Sequence, residues 1–483
     1  MNAMGNAVTA TVNNSSAAFY NPAGLARLND GERWRAKKEL EDSDAEAKRK
    51  EEEAKLNKEV EKKKTDANGT EKLEDQKIES EIDLSKSDAV DPRPWYKKIG
   101  SKFLEGFGKN LLKNNYQVRP SQGSNELNIQ YHYVKPSLTS SAPNTEKFGE
   151  ILDHHATIGL GFDLNKIYNL NRGFRFGLNL IVPATGSLLK VNDQNPVVHK
   201  HLQYGDANTR PVITGGFGFE VWKNHLFVGA GFTALFTGGG AILLRDVPIS
   251  PNPVAPNQQV VLELKPMVNP TAGAQFVWGK FNLGASYRRE TFLKIDPLSA
   301  RAQTTLLNIQ LDLDIAILDL YSPRTISYGF GFRPFDNVLL TFDVNRELWS
   351  LFRLSRTKQA YSEAPGLHDT VNYRGGLEWR ITDSWITRAG YARRPTPLND
   401  QRGRNNYMDF DRNIVTGGVT YMLLPGAFKF LKGLENPIAV DFVVEYQKLH
   451  GRSIIKDNPT PTNPNYSSGG NVWHAGISFT FFI

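Results

Sequence analysis

Three absences narrow the classes of protein to which this chain of 483 residues can belong. It has no cysteine, which excludes disulfide bonds, thiolate catalysis and cysteine-ligated metal sites. It has no uninterrupted run of about 18 apolar residues, the length that a transmembrane helix needs. The mean hydropathy is −0.43. The chain is therefore soluble, or it crosses a membrane as β-strands, whose alternating pattern keeps mean hydropathy low.

The third absence is a signal peptide, because the first residues are not a basic start followed by an apolar core. A barrel exported from the cytoplasm needs such a segment, so we expect that one precedes Met1. The net charge of +7 is spread thinly along the chain. Since nucleic-acid binding needs a concentrated basic patch, we expect no nucleic-acid partner.

The carboxyl-terminal stretch 471–483 alternates between apolar and small polar residues. A period of two with one apolar face is typical of a half-buried strand. In a soluble protein the apolar face would cover a core, whereas in an outer-membrane barrel it would face lipid. The apolar face comprises Trp473, Ala475, Ile477, Phe479 and Phe481, and the other face His474, Gly476, Ser478 and Thr480.

The same alternation dominates from about residue 127 onward, and charged residues recur on the polar face. Arg288, Arg374, Glu378 and Arg380 lie opposite apolar positions. Charges on the inner face would be ruinous in the dry core of a sandwich. They are normal in the wet lumen of a barrel.

Fourteen candidate strands follow from this alternation, an even number as bacterial single-chain barrels require. Their connections alternate between short and long, which is typical of periplasmic turns and outer loops. The predicted fold class is all-β, a 14-stranded antiparallel transmembrane β-barrel with an N-terminal plug and an inserted charged helical segment. The predicted strands are 127–138, 151–168, 174–192, 210–222, 226–247, 258–279, 281–297, 320–335, 337–352, 366–382, 384–398, 412–426, 438–455 and 468–483.

A charged insertion separates the N-terminus from the predicted barrel at 127–483. Of the 33 residues in 32–64, 23 are charged, and Glu46–Lys50 and Glu51–Lys55 are pairs of opposite sign. Such spacing supports an exposed helix, and a disordered spacer is the alternative. We predict that 30–94 is a charged helical or disordered periplasmic insertion.

The next segment, 95–126, is predicted to be an amphipathic helix and a linker. Trp95, Phe103 and Leu111 recur near helical spacing, with lysines between them. Such a basic amphipathic helix could lie on a membrane surface or dock under the barrel rim.

Several short motifs share their order with a known family. Gly5-Asn6-Ala7 precedes Asn21-Pro22-Ala23-Gly24, and later come 328–334, Arg374-Gly375-Gly376 and 409–412. In this order the chain resembles the FadL/TodX family of outer-membrane transporters of hydrophobic compounds, including long-chain fatty acids. The resemblance implies that residues 1–29 form a hatch that plugs the barrel and contains the turn at Asn21, Pro22, Ala23 and Gly24. The family pattern lacks an insertion at 30–125, and Ile483 departs from its usual aromatic terminus.

Pro183 and Gly186 interrupt the third predicted strand. Proline cannot donate a ladder hydrogen bond and glycine weakens a strand, so an ordinary bulge is one interpretation. The resemblance implies another, a kink that opens the wall and releases a ligand sideways into the membrane. Such a route keeps an apolar ligand out of water.

Two outer connections are unusually apolar. One contains Leu243 and Leu244, and the other contains Leu306, Leu307 and Ile315. Exposed apolar patches indicate binding surfaces, and the resemblance implies that these capture amphipathic ligands. The alternative is that both segments extend strands or pack on each other.

For an acidic ligand, Arg374 and Arg388 are candidate inward cations, although pairing with carboxylates such as Glu378 is the commoner fate of such residues. We find no catalytic constellation and predict no enzyme activity, no cofactor and no metal site. His154-His155 and His199-Lys200-His201 have no carboxylate partner at metal-ligand spacing.

The sequence therefore predicts a passive transporter in the bacterial outer membrane for long-chain fatty acids or other hydrophobic compounds, with lateral release. The expected partners are hydrophobic or amphipathic small molecules such as fatty acids and hydrocarbons, outer-membrane lipid, and the barrel-assembly machinery during biogenesis. The alternative is a barrel with an attachment or assembly role and no transport. A lipid hydrolase is disfavoured because no Ser/His constellation is present.

Overall fold

The computed structural model describes most of the chain, apart from several connections and the greater part of the insertion. The described residues are 4–67, 125–142, 153–168, 170, 172–183, 199–203, 211–247, 257–292, 298–304, 310–315, 321–352, 366–425 and 436–483.

Within these ranges the structure has twenty strands, three α-helices and two short 3-10 helices. The strands are β1 (Glu126–Ser140), β2 (Asp153–Asp163), β3 (Phe174–Pro183), β4 (Lys200–His201), β5 (Val212–Trp222), β6 (Leu226–Val247), β7 (Asn257–Trp278), β8 (Phe281–Arg288), β9 (Thr291–Phe292), β10 (Leu298–Thr304), β11 (Gln310–Ile315), β12 (Tyr321–Ser322), β13 (Arg324–Phe335), β14 (Val338–Leu348), β15 (Thr370–Arg380), β16 (Trp385–Arg394), β17 (Tyr407–Met408), β18 (Arg412–Leu423), β19 (Ile438–Ile454) and β20 (Tyr466–Phe482). The helices are α1 (Ala17–Tyr20), α2 (Asp30–Ala67) and α3 (Asn165–Tyr168), and the 3-10 helices are Pro22–Ala26 and Trp349–Leu351.

Fourteen of the described strands close into an antiparallel barrel. Each pairs with the next barrel strand along the chain, β20 pairs with β1, and the long β6–β7 ladder completes the ring. The predicted fold class is confirmed. Closure leaves no unpaired edge, which is the condition for a sheet in lipid.

The two ends of the barrel differ. The turn end has short connections such as 222–226, 278–281 and 335–338, and both Glu126 and Phe482 lie there. The loop end has the long connections. This is the asymmetry of short periplasmic turns and long outer loops that the sequence predicted.

Strand parity separates an apolar exterior from a polar interior. Phe442 and Trp473 are about half exposed on the outer face, whereas Thr214 and Asn282 are buried on the inner face. Because the outside is apolar and the inside holds hydrogen-bonding groups, the barrel suits a lipid surround and a filled lumen.

Beyond the barrel rim, β6 and β7 continue as a projecting hairpin. Leu226–Leu235 pairs with β5, but the ladder with β7 continues to Arg245. The strand β10 pairs in parallel with this extension, and β11 pairs with β10. A small sheet therefore stands at the loop end above one side of the barrel.

The charged insertion begins as α2, a 38-residue helix. The pairs predicted from the sequence form, with Lys50 Nζ 2.8 Å from Glu46 and Lys55 Nζ 2.9 Å from Glu51. The helix leaves the barrel at the turn end, where Lys37 contacts Asp383. The amphipathic helix predicted at 95–112 lies outside the described residues, as does 68–94.

Four predicted strands extend too far. The predictions 337–352 and 384–398 are wrong beyond Leu348 and Arg394, and the other two overshoot further. The prediction 151–168 is wrong beyond Asp163, because Asp163 Oδ1 accepts from Asn165 N–H and starts a turn with the short helix α3. The prediction 281–297 is wrong beyond Arg288 as a barrel strand. There Thr291–Phe292 leaves the barrel ladder and pairs with Tyr321–Ser322.

Candidate functional site

Residues 4–29 form a plug that occupies the barrel lumen. Val8, Val12, Ala17, Ala18 and Leu25 pack into a small buried cluster within the plug. The predicted hatch residues lie inside it: Pro22–Ala26 is a 3-10 helix capped by the Asn21 side chain. At Gly24 a Cβ would lie closer than 3.0 Å to the Val12 carbonyl oxygen, so only glycine allows these two segments to meet.

One side of the barrel wall is shaped to receive the plug backbone. At ten inward-facing glycines, an added Cβ would lie closer than 3.0 Å to an atom of the plug. Since real Cβ atoms essentially never approach so closely, any larger residue would push the plug away. The tenth, Gly159 on β2, meets Ser15 on the other side of the lumen. We call the side with the other nine the docking wall, with its glycines Gly177, Gly218, Gly229, Gly273, Gly284, Gly329, Gly331, Gly376 and Gly390.

These glycines are level with one another because the ladder register pairs them. Gly218 is opposite Gly229, and Gly229 is opposite Gly273. Gly284 is opposite Gly329 and Gly376 is opposite Gly390. These pairs form a belt of glycines along the docking wall, interrupted at β14 by Thr341 and Asp343, and the plug lies against it from Met4 to Ala26.

Hydrogen bonds fix the plug on this belt. Asn21 Nδ2 donates to the carbonyls of Thr9 (2.8 Å), Ala274 (3.1 Å) and Ala285 (3.2 Å). The amide N–H of Thr9 donates to Asp343 Oδ2 at 2.8 Å. The hatch turn is thus bonded both to the plug itself and to two strands of the docking wall.

The plug ends in a buried helix cap. Asn29 Oδ1 accepts from Glu32 N–H at 2.8 Å, and Glu32 Oε2 accepts from Asn29 N–H at 2.9 Å, which is a capping box. The other carboxylate oxygen of Glu32 accepts from Arg175 Nη2 at 2.6 Å, and both side chains are buried. This contact joins the plug, the start of α2 and strand β3.

A cavity of about 400 Å³ lies on the other side of the lumen, between the plug and the barrel wall. The wall there consists mainly of the inner faces of β18, β19, β20, β1 and β2, which we call the polar wall. Opposite it, the plug contributes the rings of Phe19 and Tyr20 together with polar side chains and three almost fully buried apolar residues. The polar residues are Thr11, Asn13, Asn14 and Ser16, and the buried ones are Met4, Val8 and Val12.

The polar wall carries a ladder of hydrogen-bonded side chains along β1. Asn128 Nδ2 donates to Thr480 Oγ1 at 2.6 Å, and Gln130 Nε2 donates to Asn128. Gln130 Oε1 bonds with His132 Nε2 at 3.0 Å, and His132 Nδ1 with His474 Nε2 at 3.0 Å. A continuous hydrogen-bonding strip therefore lies along the polar wall.

The ionic groups of the cavity lie nearer the turn end. Of the two predicted inward cations, Arg388 lines the cavity, where its Nε lies 2.8 Å from Glu378 and its Nη1 3.6 Å from Asp441. Arg374 is also on the inner face but lies near the plug residue Tyr20 and is not among the residues that line the cavity.

The plug surface of the cavity is uncharged. Burial raises the pKa of Tyr20, against the opposing charges of Arg374 and Arg288, so its phenol stays neutral at physiological pH. The Tyr20 hydroxyl donates to Asn6 Oδ1 at 2.8 Å. The ring of Phe19 is held beneath the guanidinium of Arg288, 4.4 Å from the ring centre.

The cavity reaches the end of β3 near the predicted kink. Ile181 lines it, and the pairing of β3 with β5 ends there at Ile181–Val212. Pro183 pairs only with β2, opposite His155, which also lines the cavity. Gly186 lies outside the described residues, so the kink itself stays a prediction.

The structure brings parts of the two predicted capture segments into one sheet. Leu243 and Leu244 are in the projecting part of β6, paired with β10, and Ile315 is the last residue of β11 on the other side of β10. Both segments extend strands, which was the alternative interpretation. Leu306 and Leu307 lie outside the described residues, and the capture role stays a prediction.

Sequence reasoning missed the glycine belt and the side-chain ladder. Parity did place His474, Ser478 and Thr480 on the small polar face of the last strand, but it could not show what they contact. In the described part of the chain, no group of three or more His, Asp or Glu side chains could hold a metal ion. Among the same residues, no helix is both long and apolar enough to cross a membrane.

Comparison with solved structures finds several proteins that match over most of this chain. A Pseudomonas aeruginosa FadL homologue is 17% identical, with a TM-score of 0.45, over 77% of this chain and 94% of that chain. The toluene transporter TodX of P. putida is 13% identical, with a TM-score of 0.42, over 77% and 92%. The Ralstonia pickettii toluene transporter TbuX is 15% identical, with a TM-score of 0.42, over 77% and 92%.

No curated protein matches the chain. A family model does: residues 272–429, which run from β7 to β18, match the family described as outer membrane protein transport protein (OMPP1/FadL/TodX). The resemblance to the FadL/TodX family that the sequence motifs predicted is thereby confirmed.

Proposed function

We propose that this protein is a passive transporter of hydrophobic or amphipathic small molecules in the bacterial outer membrane. The family match and the closed barrel with an apolar exterior support the location. The single observation that carries the proposal is the cavity of about 400 Å³ between plug and wall, because a lumen filled only for stability would leave no ligand-sized space.

The proposed path begins at the loop end. An amphipathic molecule is captured at the sheet formed by β6, β7, β10 and β11, and it then enters the cavity. Release is lateral, near Pro183, where β3 pairs with β2 but its pairing with β5 has ended. A hydrophobic molecule that leaves sideways passes from the cavity to lipid without entering water, which keeps its apolar surface dehydrated.

Uptake measurements in whole cells test this proposal. Cells that express the protein should take up labelled oleate or propylbenzene faster than cells that lack it. Replacing 183–186 by a regular strand-forming sequence should reduce that uptake while the barrel still assembles. Uptake that does not depend on the protein for any hydrophobic probe would contradict transport, and unchanged uptake in the strand variant would contradict only the lateral route.

A role in attachment or assembly is the second candidate, and the exposed helix α2 favours it. Its 38 residues extend about 57 Å at 1.5 Å per residue, far beyond the barrel turns. Deleting 37–112 keeps the capping box at Asn29 and Glu32 and tests the two roles separately. Uptake should persist if the insertion is an adaptor, whereas loss of uptake would make it part of the transport path.

A further inference from the structure

We propose that the luminal cavity binds an uncharged aromatic molecule with one hydrogen-bonding group, such as a phenol, in preference to a carboxylate or a plain hydrocarbon. This inference rests on the proposed function and names its substrate class. It follows from three properties of the cavity: its charge balance, its lining of aromatic rings and hydrogen-bonding groups, and its size.

The charges that line the cavity balance. Three guanidinium groups and three carboxylates are present, and the central ones are paired with each other: Arg388 with Glu378 and Asp441. Asp441 also accepts from Ser478 Oγ at 2.9 Å. A ligand carboxylate would compete with these carboxylates for the guanidinium groups, and burying an additional negative charge is costly. The site therefore disfavours an anion.

The lining combines aromatic rings with hydrogen-bonding groups. On the plug side, Phe19 and Tyr20 offer aromatic surfaces to a flat ring, and aromatic pairs gain energy beyond area burial. On the opposite side, Gln130 and Thr480 belong to a strip that can both donate and accept. A plain hydrocarbon would cover this strip without replacing the water that hydrates it, and desolvating polar groups without partners costs free energy.

The volume fits this class of ligand. A cavity of about 400 Å³ is near the lower end of the range of small-molecule sites, roughly 300–1,000 Å³. It accommodates a substituted benzene ring together with a short alkyl chain. A long extended chain would instead have to leave the cavity at one end.

Three matched probes test the inference on the full-length protein in lipid nanodiscs: 4-propylphenol, propylbenzene and 4-propylbenzoate. They share one skeleton and differ in having a neutral hydroxyl, no polar group or an ionised carboxylate at pH 7. We expect 4-propylphenol to bind with a Kd about tenfold below those of the other two, as one net hydrogen bond allows. Equal or tighter binding of either other probe would overturn the inference.

A variant links this preference to the polar wall. Gln130→Leu interrupts the ladder between Asn128 and His132, so 4-propylphenol should bind it no better than propylbenzene does. Gln447→Leu is the matched control, because Gln447 also lies inside the barrel but does not line the cavity. The heat-dependent gel mobility of each variant confirms that its barrel is folded. Retention of the phenol preference in folded Gln130→Leu would contradict the assignment.

The outcomes distinguish failure of the phenol preference from failure of the proposed transport function. If propylbenzene binds best and protein-dependent uptake persists, the transporter proposal stands and the phenol preference fails. If none of the three probes binds and uptake of each is independent of the protein, both fail.

Discussion

The two sides of the lumen have the same strand alternation but differ in their inward-facing residues and in how they contact the plug. On the docking wall, nine inward positions at the level of the plug are glycines, so the plug comes into close contact with the wall there. On the polar wall, inward positions carry amides, hydroxyls and imidazoles, which bond to one another and hold the cavity open. At Gly476 a Cβ would meet His132 and Val443, which are wall side chains, and not the plug.

The difference indicates that the plug is a fixed part of the barrel on one side and a ligand surface on the other. A molecule can therefore bind in this cavity without displacing the plug. The predictions that follow test this division, beginning with the substitutions that should disturb the plug most.

The largest effect on plug docking is expected when bulky side chains replace two glycines of the belt. The double variant Gly229→Leu and Gly390→Leu places side chains where the backbone of Pro22–Ala23 and of Met4–Gly5 now lies. Overpacking costs about 1–3 kcal/mol per site, and here the plug can respond by leaving the wall. Ion conductance in planar bilayers should rise and the plug should become sensitive to protease. Gly417→Leu is the matched control, because nothing lies within 4 Å of a Cβ there. Conductance equal in both variants would contradict plug docking.

The next largest effect is expected from breaking the buried ion pair between Arg175 and Glu32 at the end of the plug. Arg175→Met leaves the Glu32 carboxylate without its 2.6 Å partner in a buried site. Removing one member of such a pair costs about 3–5 kcal/mol. We expect faster hydrogen exchange in 27–36 while the strands keep their protection. The double variant Arg175→Met and Glu32→Gln should recover part of the loss, and a larger loss in the double variant would refute the pairing.

A smaller effect is expected at the hatch turn. Asn21→Ala removes the side chain that bonds the carbonyls of Thr9, Ala274 and Ala285. Leaving buried carbonyls without a donor costs about 1–3 kcal/mol. Hydrogen exchange in residues 4–28 should increase. Asn14→Ala, whose Oδ1 accepts only from the nearby Ser16 N–H, should have less effect, and the reverse order would show that the turn is not an anchor.

The smallest effect is expected outside the lumen. Lys37 and Asp383 form an exposed pair at 2.7 Å, worth less than about 1 kcal/mol. The hydrogen bond that Lys37 donates to Asp383 raises the pKa of Lys37, so any stabilisation is present at lower pH and disappears as pH rises through the raised pKa. Lys37→Ala should leave the melting temperature and plug protection nearly unchanged. A shift as large as that of Arg175→Met would mean that α2 supports the plug.

Much of the barrel could be predicted because strand alternation is a local signal. The predicted strand 226–247 has the bounds of β6, and 258–279 differs from β7 by one residue at each end. The plug contacts could not be predicted in this way. Whether Gly229 faces Ala23 depends on how two segments some 200 residues apart meet, and a glycine in a strand is equally compatible with a bulge or a bend.

The same limit applies to the cavity. Parity placed Arg374 and Arg388 on the inner face, where the structure has them. It could not show that Arg388 lies between two carboxylates, because Asp441 belongs to a strand that is two further along the sheet. Likewise, the inward position of His474 follows from its own strand, but its bond to His132 depends on the closure of β20 on β1.

A crystal structure with 4-iodophenol bound tests the central claim most directly, because the anomalous signal of iodine locates the ligand without ambiguity. We predict one iodine site in the cavity between Val12 and Thr480, with residues 4–29 still against the glycine belt. An iodine site between the plug and the docking wall, or a plug displaced from its glycines, would contradict the division of the lumen into a docked side and a binding side.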